Sequence, residues 1–431
     1  MSTIFLRQRY LSPIYRTFDA FKKPFVIEKG DKQYVWDLHG NKYLDVHSQN
    51  VCISVGHAHK EVIKMASEQL ERLPHCSSAY YSSKSGLLAK KLVDLVPPHP
   101  SGEDWVVHLV NSGSDAVDLA LQMAREYTKN TDIIGMYRGY HGLQGLAAPL
   151  TAIGKSTQKS HAGMYPGIRH VFPNKIEELD NYLTLGTSGN VAGIIIEPIQ
   201  GYGGIFEINK DYMSEAFKMV REKGGVAIAD EVQTGLGRCG DGFWGFEGGH
   251  KTNTKTNQDD NNKDNSCIPD IITIAKGLGN GVGIIGAVIC KRSIAEAFTN
   301  KMFFNTYSGN PVACAAACGV LNVIQDENLQ TNCLNMGNLF NKKAKDLCEK
   351  YPHIYKEVRG RGLFQAVEIY GENYEESILK TEKLHDKILS HGLVMSMGSG
   401  VGNVLRFQPP MCVNEDDINK IISVLINIAD D

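Results

Sequence analysis

Short apolar runs bounded by turn-forming residues alternate with amphipathic stretches through most of the first 310 residues. Such runs are typical of strands buried on both faces of a parallel sheet, and the amphipathic stretches supply the crossover helices that parallel strands require. The clearest predicted strands are residues 105–110, 132–136, 191–196, 226–229, 271–274 and 285–289, and the clearest predicted helices are 115–127 and 211–223. The pattern predicts an α/β fold with a mainly parallel sheet.

The pattern changes after Pro311, where we predict an alanine-rich helix through Gln325 and a charged amphipathic helix over 329–351. Near the N-terminus, two short strand-like runs predict a hairpin around Gly40. These features indicate a second, smaller α+β domain. We expect three regions, namely an N-terminal segment that joins the small domain (1–60), a large domain (61–310) and a C-terminal small domain (311–431).

The segment 249–267 differs from the rest of the chain because it contains almost no apolar side chains. A segment of this composition cannot bury enough apolar surface to offset the entropy lost on ordering. We therefore expect a disordered surface insertion there.

The charge balance restricts the partners. The 431 residues contain 45 Lys and Arg against 48 Asp and Glu, a formal net charge of -3, so no broad basic field favours nucleic acid or an anionic membrane. No apolar stretch approaches the ~20 residues of a membrane-spanning helix. The ten cysteines are scattered, which indicates reduced thiols and no metal site. We expect a soluble intracellular protein, with mitochondrial matrix and cytosol both left open.

Three strand ends carry candidate chemistry. The strand 105–110 is followed by Ser112, Gly113 and Ser114 at a predicted helix start, where backbone N–H groups suit a phosphate, although an ordinary helix N-cap is the alternative. Asp230 directly follows the strand 226–229, and an acid at this place can be structural, bind magnesium or contact a cofactor.

Lys276 follows the strand 271–274 and precedes a turn rich in glycine. A lysine is rarely buried at a strand end without a chemical task, and desolvation lowers its pKa and makes it a nucleophile towards carbonyls. A phosphate cradle, an acid and such a lysine are together the parts that pyridoxal phosphate requires.

With these residues the chain resembles the class III aminotransferases of the fold-type I pyridoxal-phosphate family, from about Leu11 to the C-terminus. The resemblance rests on six ordered motifs: NSGSDAVDLAL (111–121), GYHG (139–142), IIIEPIQG (194–201), IADEVQTGLGR (228–238), TIAKGLGNG (273–281) and NTYSGNP (305–311). It implies a large domain with a mainly parallel seven-stranded sheet between helices, a smaller α+β domain and aminotransferase activity.

The resemblance also implies roles for single residues. Lys276 would hold the cofactor as a Schiff base and act as the base of a 1,3-proton shift. Asp230 would pair with the pyridine nitrogen. The remaining cofactor contacts would be Ser112, Gly113 and Ser114 at the phosphate, Tyr140, His141 and Val232 at the ring, Gln233 at the phenolic oxygen and Thr306 from a neighbouring subunit. A homodimer, or a tetramer built from dimers, is therefore expected.

On the substrate side the chain is most similar to the alanine:glyoxylate branch of the class. The resemblance implies that Arg406 binds the substrate carboxylate, that Glu197 is a switch carboxylate pairing with Arg406, and that Gln49 lines the entrance with Asn50. The predicted reaction moves an amino group from L-alanine, or from a β- or ω-amino acid, to glyoxylate or pyruvate by a ping-pong route. The alternative is a phospho-lyase acting on a phosphorylated amine such as phosphoethanolamine.

Overall fold

The computed structural model describes residues 3–18, 21, 24–153, 166–187, 189–249, 267–398 and 402–430. Residues 250–266 of the predicted insertion 249–267 lie outside these ranges. In chain order the helices are α1 (Thr3–Tyr10), α2 (Lys60–Arg72), α3 (Ser83–Asp94), α4 (Gly113–Thr128), α5 (Ala147–Leu150), α6 (Ile176–Leu185), α7 (Lys210–Glu222), α8 (Arg292–Ala297), α9 (Pro311–Asp326), α10 (Leu329–Lys350), α11 (Tyr374–Ser390) and α12 (Glu415–Asp430).

Strands form four sheets. In chain order they are β1 (Ile27–Asp31), β2 (Tyr34–Asp37), β3 (Lys42–Asp45), β4 (Trp105–Val110), β5 (Ile133–Met136), β6 (Ile168–Val171), β7 (Gly193–Ile196), β8 (Ile199–Gln200), β9 (Phe206–Glu207), β10 (Val226–Asp230), β11 (Ile271–Ile274), β12 (Gly286–Lys291), β13 (Tyr355–Arg361), β14 (Phe364–Ile369), β15 (Leu393–Val394), β16 (Ser396–Met397) and β17 (Val404–Phe407). The central sheet has the order β4-β12-β11-β10-β7-β5-β6.

The central sheet confirms the predicted mainly parallel, seven-stranded α/β architecture. Strand β12 runs antiparallel to both β11 and β4, whereas the other neighbouring pairs are parallel. All six strands predicted from apolar runs are present. The seventh, β6, was not predicted because it is a short edge strand whose Arg169 is exposed, so it lacks a continuous apolar run.

Both faces of the central sheet are buried, as the unbroken apolar runs require. Along β7, Ile194 and Ile196 enter one hydrophobic core and Ile195 enters the other, because successive side chains point to opposite faces. One core includes residues of α2, α3, α7 and α9, and the other includes residues of α4 and α8. Helix layers thus enclose the sheet and leave the strand ends as the places where a ligand can enter.

One smaller sheet, with the order β1-β2-β3-β15, combines segments from both ends of the chain. The β2–β3 hairpin turns at Gly40, which has a positive φ of 81°, and β15 pairs in parallel with β3. A second antiparallel sheet has the order β13-β14-β17-β16. Helix α9 packs against α2 and α3. The domain boundaries 1–60, 61–310 and 311–431 stay a prediction.

A close backbone approach in α10 generates a stability prediction. A Cβ added to Gly337 would lie 2.3 Å from the carbonyl oxygen of Gly362. We therefore expect Gly337→Ala to lower the free energy of unfolding by about 1–3 kcal/mol, as overpacking does in other cores.

The matched control is Gly86→Ala in α3, where nothing lies within 4 Å of the added Cβ. Relief of glycine backbone entropy should stabilise that variant by about 0.5–1 kcal/mol. Both changes are measured by denaturant unfolding, and equal effects in the two variants would contradict the proposed clash.

Candidate active site

The candidate catalytic residues meet at one edge of the central sheet. Because β12 is antiparallel to both neighbours, β4 and β11 run in the same direction, and their carboxyl ends lie on the same edge as that of β10. There the chain encloses a cavity of about 130 Å³. The cavity is lined by Ser112, Gly113, Ser114, Tyr140, His141, Gly142, Glu197, Asp230, Val232, Gln233 and Lys276.

The helix that follows β4 begins at this cavity. Ser112 is its N-cap, and its Oγ accepts a hydrogen bond of 3.1 Å from the Asp115 N–H, so the capping interpretation holds for this hydroxyl. The N–H groups of Gly113 and Ser114 belong to the first turn, which has no intrahelical acceptors. A Cβ on Gly113 would come within 3.0 Å of Val232 Cγ1. The first turn therefore offers N–H donors and a positive dipole end to an anion.

Asp230 forms a buried pair with His141. Asp230 Oδ2 lies 2.8 Å from His141 Nδ1, and Oδ1 accepts from the Val232 N–H at 3.1 Å and from the Thr273 hydroxyl at 3.3 Å. Burial lowers the pKa of His141, but the hydrogen bond and the negative charge of Asp230 outweigh burial and raise it. The acid at the end of β10 is thus fixed in position by His141, Val232 and Thr273.

Lys276 stands in a constrained backbone at the start of the 3-10 turn Lys276–Leu278, with a positive φ of 45°. Its side chain is largely buried, and burial lowers its pKa against the opposing charges of Cys52, Asp230 and Glu197. Among the residues that the structure describes, the Nζ atom has no hydrogen-bond or ion-pair partner. This is the environment of an amine that reacts with a carbonyl.

Glu197 also lines the cavity, but it does not contact Arg406. Its Oε1 accepts from the Tyr140 N–H at 2.8 Å and its Oε2 from the Gly201 N–H at 3.1 Å. Burial raises the pKa of Glu197 to about 7. The ion pair of a switch carboxylate with Arg406 is therefore not formed in this conformation.

Arg406 enters from β17, outside the 130 Å³ cavity. Its Nη2 donates to the Ser396 hydroxyl at 2.6 Å, whereas the buried Nε and Nη1 have no hydrogen-bond partner within the described ranges. Burial lowers the pKa of the guanidinium. Two buried donors without an acceptor are costly in a folded protein, so a ligand that supplies a carboxylate would satisfy them.

The two remaining predicted residues lie apart from this cavity. Gln49 lines a separate cavity of about 500 Å³ that also includes His47 and Ser396, and its Nε2 lies 3.3 Å from Asp45 Oδ2. Thr306 is exposed, and it is not among the described residues that line the smaller cavity.

Tyr202 and its partner Asn50 are site residues that the sequence analysis did not assign to the reaction centre. Tyr202 stacks on Tyr140, and its hydroxyl is hydrogen bonded to Asn50 Nδ2 at 2.9 Å. Asn50 lies in a left-handed turn over Ser48–Val51 in which all four residues have a positive φ. The glycines around Tyr202 in GYGG (201–204), which begins at the last residue of EPIQG, could have indicated a close backbone approach there.

Comparison with known proteins decides the family. Residues 17–429 match the family described as Aminotransferase class-III. The chain belongs to the class III aminotransferase family. It is 36% identical to the mitochondrial alanine–glyoxylate aminotransferase 2 homolog 2 of Arabidopsis thaliana, covering 97% of this chain and 85% of the relative. It is 33% identical to the mitochondrial alanine–glyoxylate aminotransferase 2 of Homo sapiens, covering 97% and 84%.

Solved structures agree with this assignment. The ornithine aminotransferase of Toxoplasma gondii, which contains partially occupied PLP at its active site, superposes with a TM-score of 0.84 at 27% identity, over 99% of this chain and 93% of that one. This aminotransferase is thus a pyridoxal-phosphate enzyme that acts on small amino and keto acids. No helix among the described residues is long and apolar enough to cross a membrane.

The cavity residues fit this cofactor. A helix N-terminus can hold the phosphate, and Asp230 can face a protonated ring nitrogen. Lys276 offers a largely buried amine whose pKa is lowered by burial, and the buried Gln233 Oε1 has no hydrogen-bond partner within the described part of the chain. The chemistry of this donor set therefore matches an aldehyde with a phosphate and a pyridine ring.

Glu231, next to Asp230, supports the wall of the site. Its carboxylate accepts from the Thr234 hydroxyl at 2.6 Å and from the N–H groups of Gly245 and Phe246 at 2.8 and 2.9 Å. Burial raises its pKa from an ordinary 4.5 to about 7 and outweighs these hydrogen bonds, which lower it.

This shift predicts a pH dependence of stability. Between pH 4.5 and 7 the native state binds a proton that the unfolded state releases, so the contribution of Glu231 to stability falls as pH rises through that window and is lowest above 7. Glu231→Gln should make the decline in unfolding free energy shallower, by up to about 1.4 kcal/mol per pH unit. Denaturant unfolding at several pH values measures the slope, with the exposed Glu222→Gln as control. Equal slopes in the two variants would contradict the shift.

Proposed function

We propose that this aminotransferase transfers the amino group of L-alanine to glyoxylate or pyruvate by a ping-pong route. The observation that carries the proposal is Arg406, whose Nε and Nη1 are buried without acceptors among the residues that the structure describes. A substrate carboxylate would accept a charge-assisted hydrogen bond from either donor, and a planar, bidentate contact would pair that donor with Nη2, which now donates to Ser396. The similarity to alanine–glyoxylate aminotransferases supports the choice of donor and acceptor.

When bound, pyridoxal phosphate supplies an aldehyde that condenses with amines and a ring that accepts electrons. The first turn of α4, with Ser112, Gly113 and Ser114, would hold the phosphate. Asp230 would keep a proton on the ring nitrogen, supported by its bond to His141. Tyr140 and Val232 would enclose the ring, and Gln233 would contact its phenolic oxygen.

Lys276 has two proposed tasks. Its Nζ would hold the cofactor in the resting enzyme, and as a free, neutral amine it would take a proton from the substrate Cα and return it two atoms away, as a 1,3-proton shift requires. The lowered pKa of this lysine favours the neutral form that the step requires. Arg406 meanwhile orients the substrate through its carboxylate, so that the Cα–H bond faces the lysine.

β- and ω-amino acids are the second proposed donor class. Such donors carry no carboxylate on the reacting carbon, so the charge of Arg406 needs another partner. Glu197 is the proposed partner by resemblance, and it would have to release its bonds to the Tyr140 and Gly201 N–H groups first. The L-alanine reaction needs no such rearrangement and is therefore the principal proposal.

A homodimer is proposed to complete the site. Thr306 would reach the phosphate of the neighbouring subunit, and its exposure fits that role. Large apolar side chains are exposed in the same region and elsewhere, including Met302, Phe304, Tyr307, Tyr80 and Tyr81. Surface of this kind marks protein interfaces, and sedimentation of the holoenzyme distinguishes a monomer, a dimer and a tetramer.

The alternative function is a phospho-lyase, which shares the lysine chemistry but expels phosphate. The segment NVLRFQPPM (403–411) is similar to a C-terminal stretch of the related phospho-lyases. L-Alanine added alone should yield pyruvate equal to the number of active sites, because no acceptor regenerates the enzyme. Phosphate release from phosphoethanolamine without an acceptor would instead support the lyase.

Lys276→Ala should abolish covalent attachment of the cofactor and nearly all turnover, because no other side chain lining the cavity is an amine. Borohydride reduction followed by peptide mass mapping measures the attachment. The control is Lys218→Ala, which replaces an exposed lysine on α7. This variant should be labelled at position 276 to the same extent as the wild-type enzyme. Label elsewhere in the wild-type protein would contradict the assignment.

Arg406→Lys should raise the KM for L-alanine by about tenfold or more, since an ammonium cannot reproduce two parallel hydrogen bonds worth roughly 1.5–3 kcal/mol. Steady-state kinetics with L-alanine as the varied substrate measures the effect. A KM equal to that of the wild-type enzyme would exclude Arg406 as the carboxylate ligand.

A further inference from the structure

The ring of Tyr202 touches both functional ends of the proposed site. Its centroid lies 5.0 Å from the guanidinium carbon of Arg406 and 5.9 Å from Lys276 Nζ. The ring also stacks on Tyr140, with a centroid distance of 4.5 Å and an interplanar angle of 23°. Tyr202 therefore lies beside the cation proposed to bind the carboxylate and beside the amine that performs the proton transfer.

Asn50 fixes the position of this ring. The Asn50 amide donates to the Tyr202 hydroxyl at 2.9 Å, and the hydroxyl oxygen lies 3.3 Å from Asn50 Oδ1. Asn50 lies in the left-handed turn Ser48–Val51. At the start of this turn, Asp45 Oδ1 accepts hydrogen bonds from the His47 and Ser48 N–H groups at 2.9 and 2.8 Å. A left-handed backbone at four successive residues without glycine persists only when surrounding contacts enforce it.

The contact between Tyr202 and Arg406 shields the cation without neutralising it. An aromatic face attracts a guanidinium through its quadrupole, and an interaction with the Tyr202 hydroxyl raises the pKa of Arg406 against the larger lowering by burial. Glu197, the carboxylate proposed to pair with Arg406, accepts two backbone hydrogen bonds instead. As a result Arg406 keeps Nε and Nη1 available, and within the described ranges it forms no ion pair.

We infer that Tyr202, positioned by Asn50, is a specificity-determining residue that keeps Arg406 ready for a carboxylate on the reacting carbon of the substrate. The inference rests on the proposed function and narrows it to α-amino and α-keto acids. A substrate without that carboxylate leaves two buried donors unsatisfied, and a neutral aromatic wall cannot satisfy them. A carboxylate at position 202 would satisfy these donors, and the enzyme would no longer require a carboxylate on the substrate.

The test compares L-alanine with propan-2-amine, in which a methyl group replaces the carboxylate. Tyr202→Glu should lower kcat/KM for L-alanine by about tenfold or more, the loss of roughly one charge-assisted hydrogen bond, and should raise kcat/KM for propan-2-amine, because the introduced carboxylate satisfies the donors that this substrate leaves unpaired. Calorimetric titration of the holoenzyme with propionate provides a readout without turnover. The Kd for propionate should rise by a similar factor, whereas the neutral analogue propionamide should be unaffected.

Two conservative variants test the positioning by Asn50. Tyr202→Phe keeps the ring and loses the hydroxyl, and Asn50→Ala removes the partner of that hydroxyl. Each should decrease the ratio of kcat/KM for L-alanine to kcat/KM for propan-2-amine by the same factor, and by less than Tyr202→Glu does. The double variant should cause no further decrease, because both single variants remove the same hydrogen bond between Asn50 and Tyr202. Additive effects would show that Asn50 acts on the ratio by another route and would overturn the positioning step.

The outcomes separate the inference from the proposed function. If the wild-type enzyme does not transfer the amino group of L-alanine, the proposed function fails, while propionate titration still tests whether Tyr202 controls access to Arg406. If L-alanine is a good donor and Tyr202→Glu changes neither the donor ratio nor the Kd for propionate, the inference is wrong and the proposed function stands.

Discussion

The desolvation of charge at one edge of the central sheet is the constraint on which the site depends. Lys276 and Arg406 are both largely buried, and burial lowers the pKa of each. A buried cation without a partner is costly, so the fold must place compensating groups nearby or leave the cost to be offset by a ligand. Asp230 is already bonded to His141 and Glu197 to backbone N–H groups. The proposed function therefore leaves Lys276 to the cofactor and Arg406 to the substrate.

The sheet topology makes this arrangement possible. The antiparallel strand β12 lies between β4 and β11 and returns both to the same direction, so the helix start at Gly113 and the lysine at the end of β11 lie on one edge. The arginine reaches this edge from a different sheet, on β17, whose neighbours are β14 and β16. The proposed cofactor and substrate contacts thus come from separate parts of the fold.

The sequence predicted the parts of the fold that are buried on both faces. Continuous apolar runs predicted six of the seven central strands. Strand β6 was not predicted because it is an edge strand, paired with β5 alone, and its Arg169 faces solvent. Asp230 and Lys276 could be found because polar residues at the ends of apolar strands are conspicuous. Their roles, and those of Arg406 and Thr306, came from resemblance to a family.

Tyr202 and Asn50 could not be found in the same way. They lie 152 positions apart, and only the folded chain brings their side chains within hydrogen-bond distance. The hydrogen bonds of Glu197 with backbone N–H groups could not be predicted from the sequence either, because they depend on the local path of the chain at Tyr140 and Gly201. Contacts between distant loops are set by tertiary packing, which no local pattern of residue types records.

The left-handed turn Ser48–Val51 has a consequence for how the enzyme would age or respond to heat. Each of its residues is held in a backbone region that costs roughly 1–2 kcal/mol for an L-amino acid, and Val51 is β-branched. Such a segment relaxes as soon as its neighbours loosen, well before the sheet itself opens. Discrimination between substrates would then be lost while the cofactor is still retained, so a partly inactivated preparation would become less selective before it became inactive.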